Sequence, residues 1–176
     1  MALLPIAYHW LDAVSEPPAM IRHALALFGT MEAPGAADNP AILGWARELG
    51  VQDYRADSIP WCGLFMALVA KRAGKPVPER PLWALSWARF EVAADEPALG
   101  DVLVFRRDGG GHVGLYVGED VRAWHVLGGN QGDQVGFSRI ARGRLYAARR
   151  PAYRVRPASA VPIRLAATGA LSGNEA

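Results

Sequence analysis

Cysteine is almost absent from this sequence. The chain has 176 residues and one cysteine, Cys62. A single cysteine excludes an internal disulfide, and it also excludes a zinc site built from paired cysteine ligands. Two roles are left for Cys62: a buried packing residue, or a thiol that takes part in chemistry.

An excess of charge of one sign is also missing. The 19 Lys and Arg residues nearly balance the 17 Asp and Glu residues, and the formal net charge is +2. The basic residues form no dense run, whereas proteins that bind nucleic acids concentrate positive charge on one face. We therefore expect no nucleic-acid partner.

Long hydrophobic runs are scarce as well. The longest apolar stretch, residues 63–70, is far shorter than the roughly 20 residues of a membrane-spanning helix. The first residues lack a basic region and include His9 and Asp12, which is unlike a secretory signal. The sequence predicts no membrane span, and it predicts synthesis in the cytoplasm without a Sec signal.

Apolar residues make up 51% of the chain, which is enough for one packed core. We expect a single catalytic domain over residues 1–150 and a monomeric protein. Residues 151–176 are rich in Pro, Ala, Gly and Ser with little periodicity, and this composition predicts a loosely docked or disordered tail.

The first half of the domain has helical periodicity, and the second half alternates as strands do. The longer helical segments each start at a capping residue or proline and end at glycine. The predicted helices are residues 15–29, 39–50 and 58–74, with a short fourth over 83–90. About five strands are predicted at 102–105, 112–117, 121–127, 134–140 and 145–149. The fold class is α+β, with a buried third helix packed on an antiparallel sheet.

Cys62 lies in the first turn of the predicted third helix. Unpaired backbone N–H groups and the positive end of the helix dipole stabilise an anion there, so they lower the pKa of a thiol. This placement favours a nucleophilic thiolate, although a buried small side chain is the ordinary role of a single cysteine.

His112 follows three glycines and begins a predicted strand. The glycines leave room for a substrate, and the imidazole is a candidate base, although a strand histidine also often serves as a hydrogen-bonded polar residue. Cys62 and His112 are far apart in the sequence, so only the fold brings them together.

A third residue should orient the imidazole, and His125, Asn130 and Gln131 are the candidates. In an extended strand Asn130 shares a face with Val126 and Gly128, while His125 points to the other face. We favour Asn130 because its neutral amide oxygen suits an imidazole N–H and the glycines before it permit close approach.

Four segments then occur in a characteristic order. They are SIPWCGLF (58–65), PALGDVLVF (97–105), GHVGLYVG (111–118) and VLGGNQ (126–131). Together they resemble the CHAP amidase/peptidase and NlpC-like peptidase superfamily, in particular a phage- and prophage-associated branch.

The resemblance implies a papain-like fold with Cys62 as nucleophile, His112 as base and a third polar residue. It also implies cleavage of amide bonds in bacterial peptidoglycan, and we expect no metal or other cofactor. Trp61 stands before the cysteine where many NlpC-like members carry Asp, which favours the CHAP-like pattern with Asn130.

Three further residues are candidates for contact with the substrate. Trp61 and Trp87 are predicted to form part of an aromatic cleft wall that suits sugars and peptides. Asp57 precedes the helix of Cys62, where it either caps the helix or contacts a substrate amine, and capping is the favoured role.

These observations lead to the hypothesis of a peptidoglycan hydrolase, a cysteine peptidase or amidase of the endolysin type that acts on the cell wall after release or delivery. Two alternatives stay open: a catalytically idle wall-binding or phage structural module, and an amidase or acyl transferase with a non-wall substrate. The bond that is cut, the phage, prophage or bacterial origin and the delivery route are also left open.

Overall fold

The computed structural model describes residues 3–167, 169–173 and 175. Its helices precede most of its sheet along the chain, which confirms the α+β class. The α-helices are α1 (Ala19–Leu25), α2 (Pro40–Leu49) and α3 (Cys62–Arg72), and the 3-10 helices are Ile6–Ala13, Ala84–Arg89 and Arg142–Arg144. No described helix is long and apolar enough to cross a bilayer.

Local sequence signals account for α2 particularly well. The Asn39 side chain accepts a hydrogen bond from the Ala41 N–H at 2.8 Å, Pro40 occupies the first turn, and Gly50 ends the helix with φ of 74°. These are the cap, the proline and the glycine that the sequence analysis used. The predicted fourth helix is the 3-10 helix Ala84–Arg89.

One antiparallel sheet contains the six strands found in the described residues. They are β1 (Val92–Ala93), β2 (Val102–Arg107), β3 (Gly110–Glu119), β4 (Ala123–Gly128), β5 (Gly136–Ala141) and β6 (Leu145–Arg150). The order across the sheet is β1-β6-β2-β3-β4-β5. The sequence predicted about five strands, and the structure adds β1, a two-residue edge strand that pairs with β6.

The sheet separates a large hydrophobic core from a small one. Helix α3 lies in the large core and is buried from Cys62 to Ala70. Alternate residues of β3, such as Val113 and Leu115, face this core, whereas Tyr116 belongs to the small core with Phe105. A helix that is apolar on every side needs neighbours on every side, and the sheet and the other helices supply them.

Residues 157–165 do not match the predicted loose tail. The backbone of this stretch bonds to the body of the protein through Val161, Ile163 and Leu165, and a parallel bridge pairs Arg164 with Glu119. Three of these hydrogen bonds measure 2.9–3.0 Å. Composition misses such docking because any residue with a backbone N–H and C=O can pair with a sheet edge.

Candidate active site

Cys62 is the first residue of α3, and the start of this helix is tightly packed. The cysteine is 5% exposed. The next residue, Gly63, faces the backbone of Pro81 and Leu82 so closely that a Cβ there would lie 2.3 Å from the Pro81 carbonyl oxygen. Only glycine fits this contact, which brings the segment around residue 81 against the helix start beside the thiol.

The pKa of the Cys62 thiol differs in direction from the sequence prediction. Burial raises this pKa, and the backbone N–H groups of Val113, Gly63 and Cys62 itself only partly oppose the effect. The predicted helix-start amides are therefore present, but loss of hydration outweighs them. The sequence shows where a helix begins, whereas the burial of its first turn depends on the segments packed over it.

His112 lies on β3 and is 2% exposed. Burial lowers the pKa of the imidazole to about 4, against opposing effects of the Glu175 carboxylate and the Gln131 hydrogen bond. The imidazole is thus neutral at pH 7. Its Nε2 lies 3.0 Å from Oε1 of Gln131.

Gln131, and not the favoured Asn130, is the third residue that contacts the imidazole. The Gln131 Nε2 group donates to the carbonyl oxygens of Val126 at 3.1 Å and Gly136 at 2.5 Å. These bonds fix the orientation of the amide, so Oε1 accepts the N–H of His112 Nε2. The Nδ1 atom of the neutral ring is then left with a lone pair, as a base requires.

The prediction of Asn130 was wrong because strand alternation stops before this residue. Strand β4 ends at Gly128, and Asn130 adopts a positive φ of 55°. Within the described residues, its buried Oδ1 has no hydrogen-bond partner. Gly128 is the sequence feature that could have indicated this contact. A Cβ on Gly128 would lie 3.0 Å from Gln131 Oε1 and 3.3 Å from His112 Nε2, so the side-chain contact needs a glycine here.

The predicted contact between the thiol and the imidazole is not found among the described residues. The N–H of Val113, the residue after His112, is close enough to the Cys62 thiol to lower its pKa, and Arg107 acts on the pKa of both Cys62 and His112. Cys62 belongs to the large core, however, whereas the His112 ring stacks on Phe105 of the small core on the other face of the sheet. In the described part of the chain no hydrogen bond joins the two groups, so a reactive pair requires the imidazole to move toward the face on which Cys62 lies.

His125 lies outside this constellation. Its ring is fully buried, with Nε2 2.9 Å from an Asp120 carboxylate oxygen and Nδ1 2.8 Å from the Tyr8 hydroxyl oxygen. Burial lowers the pKa of His125 in spite of the neighbouring carboxylate.

The two tryptophans predicted to line a cleft are core residues. Trp61 and Trp87 are both fully buried. The indole N–H of Trp61 donates to Glu32 Oε1 at 2.7 Å, and that of Trp87 donates to the Pro81 carbonyl at 3.0 Å. Their polar atoms are satisfied internally, which is the usual condition of a buried tryptophan.

Asp57 neither caps α3 nor faces a cleft. Its Oδ2 accepts the backbone N–H groups of Ala33 at 2.8 Å and Asn39 at 2.7 Å, and its own N–H donates to Asp38 at 2.9 Å. The residue thus holds the loop before α2 in place. The favoured capping role is not found, because the partners come from a segment about 20 positions earlier, which helix-cap rules do not consider.

An open groove carries the exposed aromatic side chains of this region. It has a volume of about 830 Å³ and is lined by residues 76–80, 83, 85–86, 88–91 and 146. Trp83 stacks under Arg80 and Tyr146 stacks under Arg106, with guanidinium-to-ring distances of 4.3 and 4.1 Å. Cys62 and His112 do not line this groove, but Leu85 of its wall packs against Gly111.

A charged pair that the sequence did not predict acts on the pKa of His112. Arg144 binds the carboxylate of Glu175 through two contacts of 2.7 Å each. No sequence signal pairs these residues, since they are far apart and lie in unlike segments.

Comparison of the sequence with protein families and with curated proteins gave no match. Among the described residues, no cluster of His, Cys, Asp and Glu has the arrangement of a metal site.

Proposed function

We propose that this protein is a cysteine amidohydrolase with a papain-like site that cleaves an amide bond in the stem peptides of bacterial peptidoglycan. One observation carries the proposal. The thiol of Cys62, at the start of a buried helix, lies beside the N–H of Val113, and Gln131 orients the imidazole of the preceding residue, His112. A thiol, an imidazole and an amide oxygen suit nucleophilic catalysis once the imidazole reaches the thiol.

The reaction begins with a proton transfer. His112 Nδ1 takes the proton of the Cys62 thiol, and the sulfur attacks the carbonyl carbon of the substrate amide. Backbone N–H groups at the start of α3 stabilise the resulting oxyanion. The C–N bond then breaks as the imidazolium returns its proton to the leaving amine. Water hydrolyses the thioester and releases the carboxylic acid.

The peptidoglycan substrate is supported by the resemblance of the four sequence segments and by the groove beside the site. Exposed indole and phenol rings provide flat apolar surfaces for sugars and peptides. Trp83 and Tyr146 take the place that Trp61 and Trp87 were predicted to fill. The glycan strand would lie in the groove while the peptide reaches Cys62 past Leu85.

A catalytically idle wall-binding module is the second candidate. It is favoured by the raised pKa of the Cys62 thiol and by the missing hydrogen bond to His112. Such a module would bind sugars in the same groove without using the thiol.

Digestion of purified peptidoglycan separates the two candidates. The full chain should release new amino groups, identified by mass spectrometry of the fragments, and Cys62→Ser should release none. A folded wild-type protein that binds peptidoglycan but generates no new amine would overturn the enzyme and leave the module. Any new amine from the stem peptide counts in this test.

A further inference from the structure

The open groove beside the candidate site combines aromatic rings with positive charge. Trp83 is 48% exposed and Tyr146 is 45% exposed, although a guanidinium group lies over each ring. The two guanidinium groups belong to Arg80 and Arg106, which are exposed residues as well. Flat rings of this kind pack against sugars, and guanidinium groups bind anions. The groove therefore presents two ring surfaces that each carry a cation.

The charge of these two arginines is not neutralised by a carboxylate. In the part of the chain that the structure describes, neither Arg80 nor Arg106 takes part in an ion pair. The arginines that do pair with carboxylates lie outside the groove lining: Arg72, Arg139, Arg142, Arg144, Arg150 and Arg164. Arg89 adds a third cation to the groove, and Glu79 and Glu91 are the acidic residues of its lining. Since Glu91 already accepts a backbone N–H at 2.9 Å, positive charge is left for a ligand.

The first arginine and its ring are held by a tight turn. The Trp83 N–H donates to the Arg80 carbonyl at 3.1 Å, and the Ser86 hydroxyl lies 2.7 Å from the carbonyl oxygens of both residues. A guanidinium group whose face rests on a ring keeps its N–H groups at the edge, where they reach an anion in the same plane. This pair is thus arranged before a ligand arrives, which reduces the entropy lost on binding.

The second arginine and its ring lie on neighbouring strands. Arg106 belongs to β2 and Tyr146 to β6, and the residues just before them, Phe105 and Leu145, are paired in the sheet. Side chains on strands are positioned more precisely than side chains on loops. The groove therefore holds two cation-bearing rings on separate supports, as a chain with repeated sugar and acid groups requires.

The groove also adjoins the candidate active site. Leu85 of its wall packs against Gly111, the residue before His112. Pro81, which lies between the first arginine and its ring, packs against Gly63, the residue after the thiol. A ligand in the groove would therefore lie next to the segments that carry the two reactive side chains.

We propose that this groove binds an acidic glycan, with Trp83 and Tyr146 against sugar faces and Arg80 and Arg106 on carboxylates. The proposal deepens the proposed function and rests on it for the choice of a cell-wall glycan. In peptidoglycan this chemistry belongs to N-acetylmuramic acid, whose lactyl carboxylate is free wherever no stem peptide is attached. The groove thus holds a peptide-free stretch of the strand beside the peptide that is cleaved.

Calorimetry with two tetrasaccharides tests the proposal on the full chain without requiring catalysis. Both alternate N-acetylglucosamine with N-acetylmuramic acid and lack stem peptides. One has free lactyl carboxylates, and in the other these groups are primary amides of nearly the same shape. The acid should bind about tenfold more tightly than the amide at low ionic strength, and added salt should reduce the difference. Equal affinity for the two ligands would overturn the proposal.

Substitutions locate the interaction within the groove. Arg80→Gln and Arg106→Gln should each lower the affinity for the acid about fivefold and leave the affinity for the amide within about twofold of wild type. Trp83→Ala should weaken the binding of both ligands, because both lose a ring surface. Arg122→Gln is the matched control, since Arg122 is exposed and follows the end of β3 that lies opposite Gly111. A folded Arg80→Gln, Arg106→Gln double variant that still prefers the acid would overturn the assignment.

The groove and the hydrolase fail in different ways. Preference for the acid without any cleavage of peptidoglycan would refute the hydrolase and support the acidic-glycan groove. Cleavage of peptidoglycan by a protein that binds the acid and the amide equally would support the hydrolase and refute the groove.

Discussion

Two buried histidines on neighbouring strands differ in the charge of their hydrogen-bond partners. His112 on β3 contacts the neutral amide of Gln131, whereas His125 on β4 contacts the carboxylate of Asp120. A histidine paired with a carboxylate is the familiar arrangement of a catalytic triad. In this protein, however, the thiol lies beside the backbone N–H of Val113, the residue after the histidine with the amide. Under the proposed function it is this neighbourhood, and not the charge of the partner, that distinguishes the candidate catalytic histidine from the structural one.

The network around His125 explains its structural role. Asp120 accepts the N–H groups of Arg122 and Ala123 and the side-chain N–H of Arg139, besides contacting His125. Burial by itself raises the pKa of Asp120, but these hydrogen bonds outweigh it and lower the pKa to about 2. The carboxylate thus ties the turn after β3 to β4 and β5.

The largest effect is expected at Cys62. Cys62→Ala should abolish hydrolysis of peptidoglycan, because no other thiol exists to form the acyl enzyme. The melting temperature should stay within a few degrees of wild type, since alanine is also small and apolar. Release of amino groups by mass spectrometry provides the activity measurement. Turnover at the wild-type rate would place the chemistry elsewhere.

His125→Ala should affect stability strongly and turnover weakly. Removing the ring opens a cavity, takes its His125 partner from the Tyr8 hydroxyl and removes one of several hydrogen bonds of Asp120, so the free energy of unfolding should fall by about 3 kcal/mol. Urea unfolding measures this loss. At a temperature where the variant is folded, its kcat/KM should lie within about twofold of wild type. An inactive but stably folded variant would reverse the roles of the two histidines.

The buried imidazole of His112 should make stability depend on pH. Its pKa is about 4 in the folded protein and about 6.5 in an unfolded chain, so the unfolded state takes up the proton first. The stabilisation is complete above pH 6.5 and is lost as the pH falls toward 4, by at most about 3 kcal/mol.

Comparison with His112→Gln isolates this contribution from those of the other titrating groups. Urea unfolding between pH 7 and 4 should show a smaller loss of stability in the variant than in wild type. Parallel curves for the two proteins would mean that the imidazole is already hydrated in the folded state.

A smaller effect is expected for the residue that orients His112. Gln131→Ala should lower kcat/KM by about 10 to 100 fold, because a positioning residue without charge contributes less than the nucleophile. Asn130→Gly is the matched control, since glycine accepts the positive φ at this position and removes only the side chain. The pH dependence of kcat/KM should shift in Gln131→Ala and not in the control. A larger loss of kcat/KM in Asn130→Gly than in Gln131→Ala would show that Asn130 orients His112, as the sequence predicted.

Helix ends that are set by neighbouring residues could be predicted from the sequence. Contacts between segments that are distant in the chain could not. Asn39, Pro40 and Gly50 specify the ends of α2 through interactions within a few residues, so the sequence was sufficient there. Trp61 and Trp87 carry no such local information about exposure. An aromatic side chain fits a cleft wall or a core equally well until its neighbours are known.

The sequence by itself determined the α+β class, the start of a helix close to Cys62 and the three candidate partners of His112, because these depend on periodicity, caps and the one available thiol. The tertiary structure decided that Gln131 contacts the imidazole, that burial raises the pKa of the thiol, and that Glu175 reaches Arg144. Each of these depends on distances between segments remote in the chain, and desolvation and hydrogen bonding respond to such distances rather than to residue order.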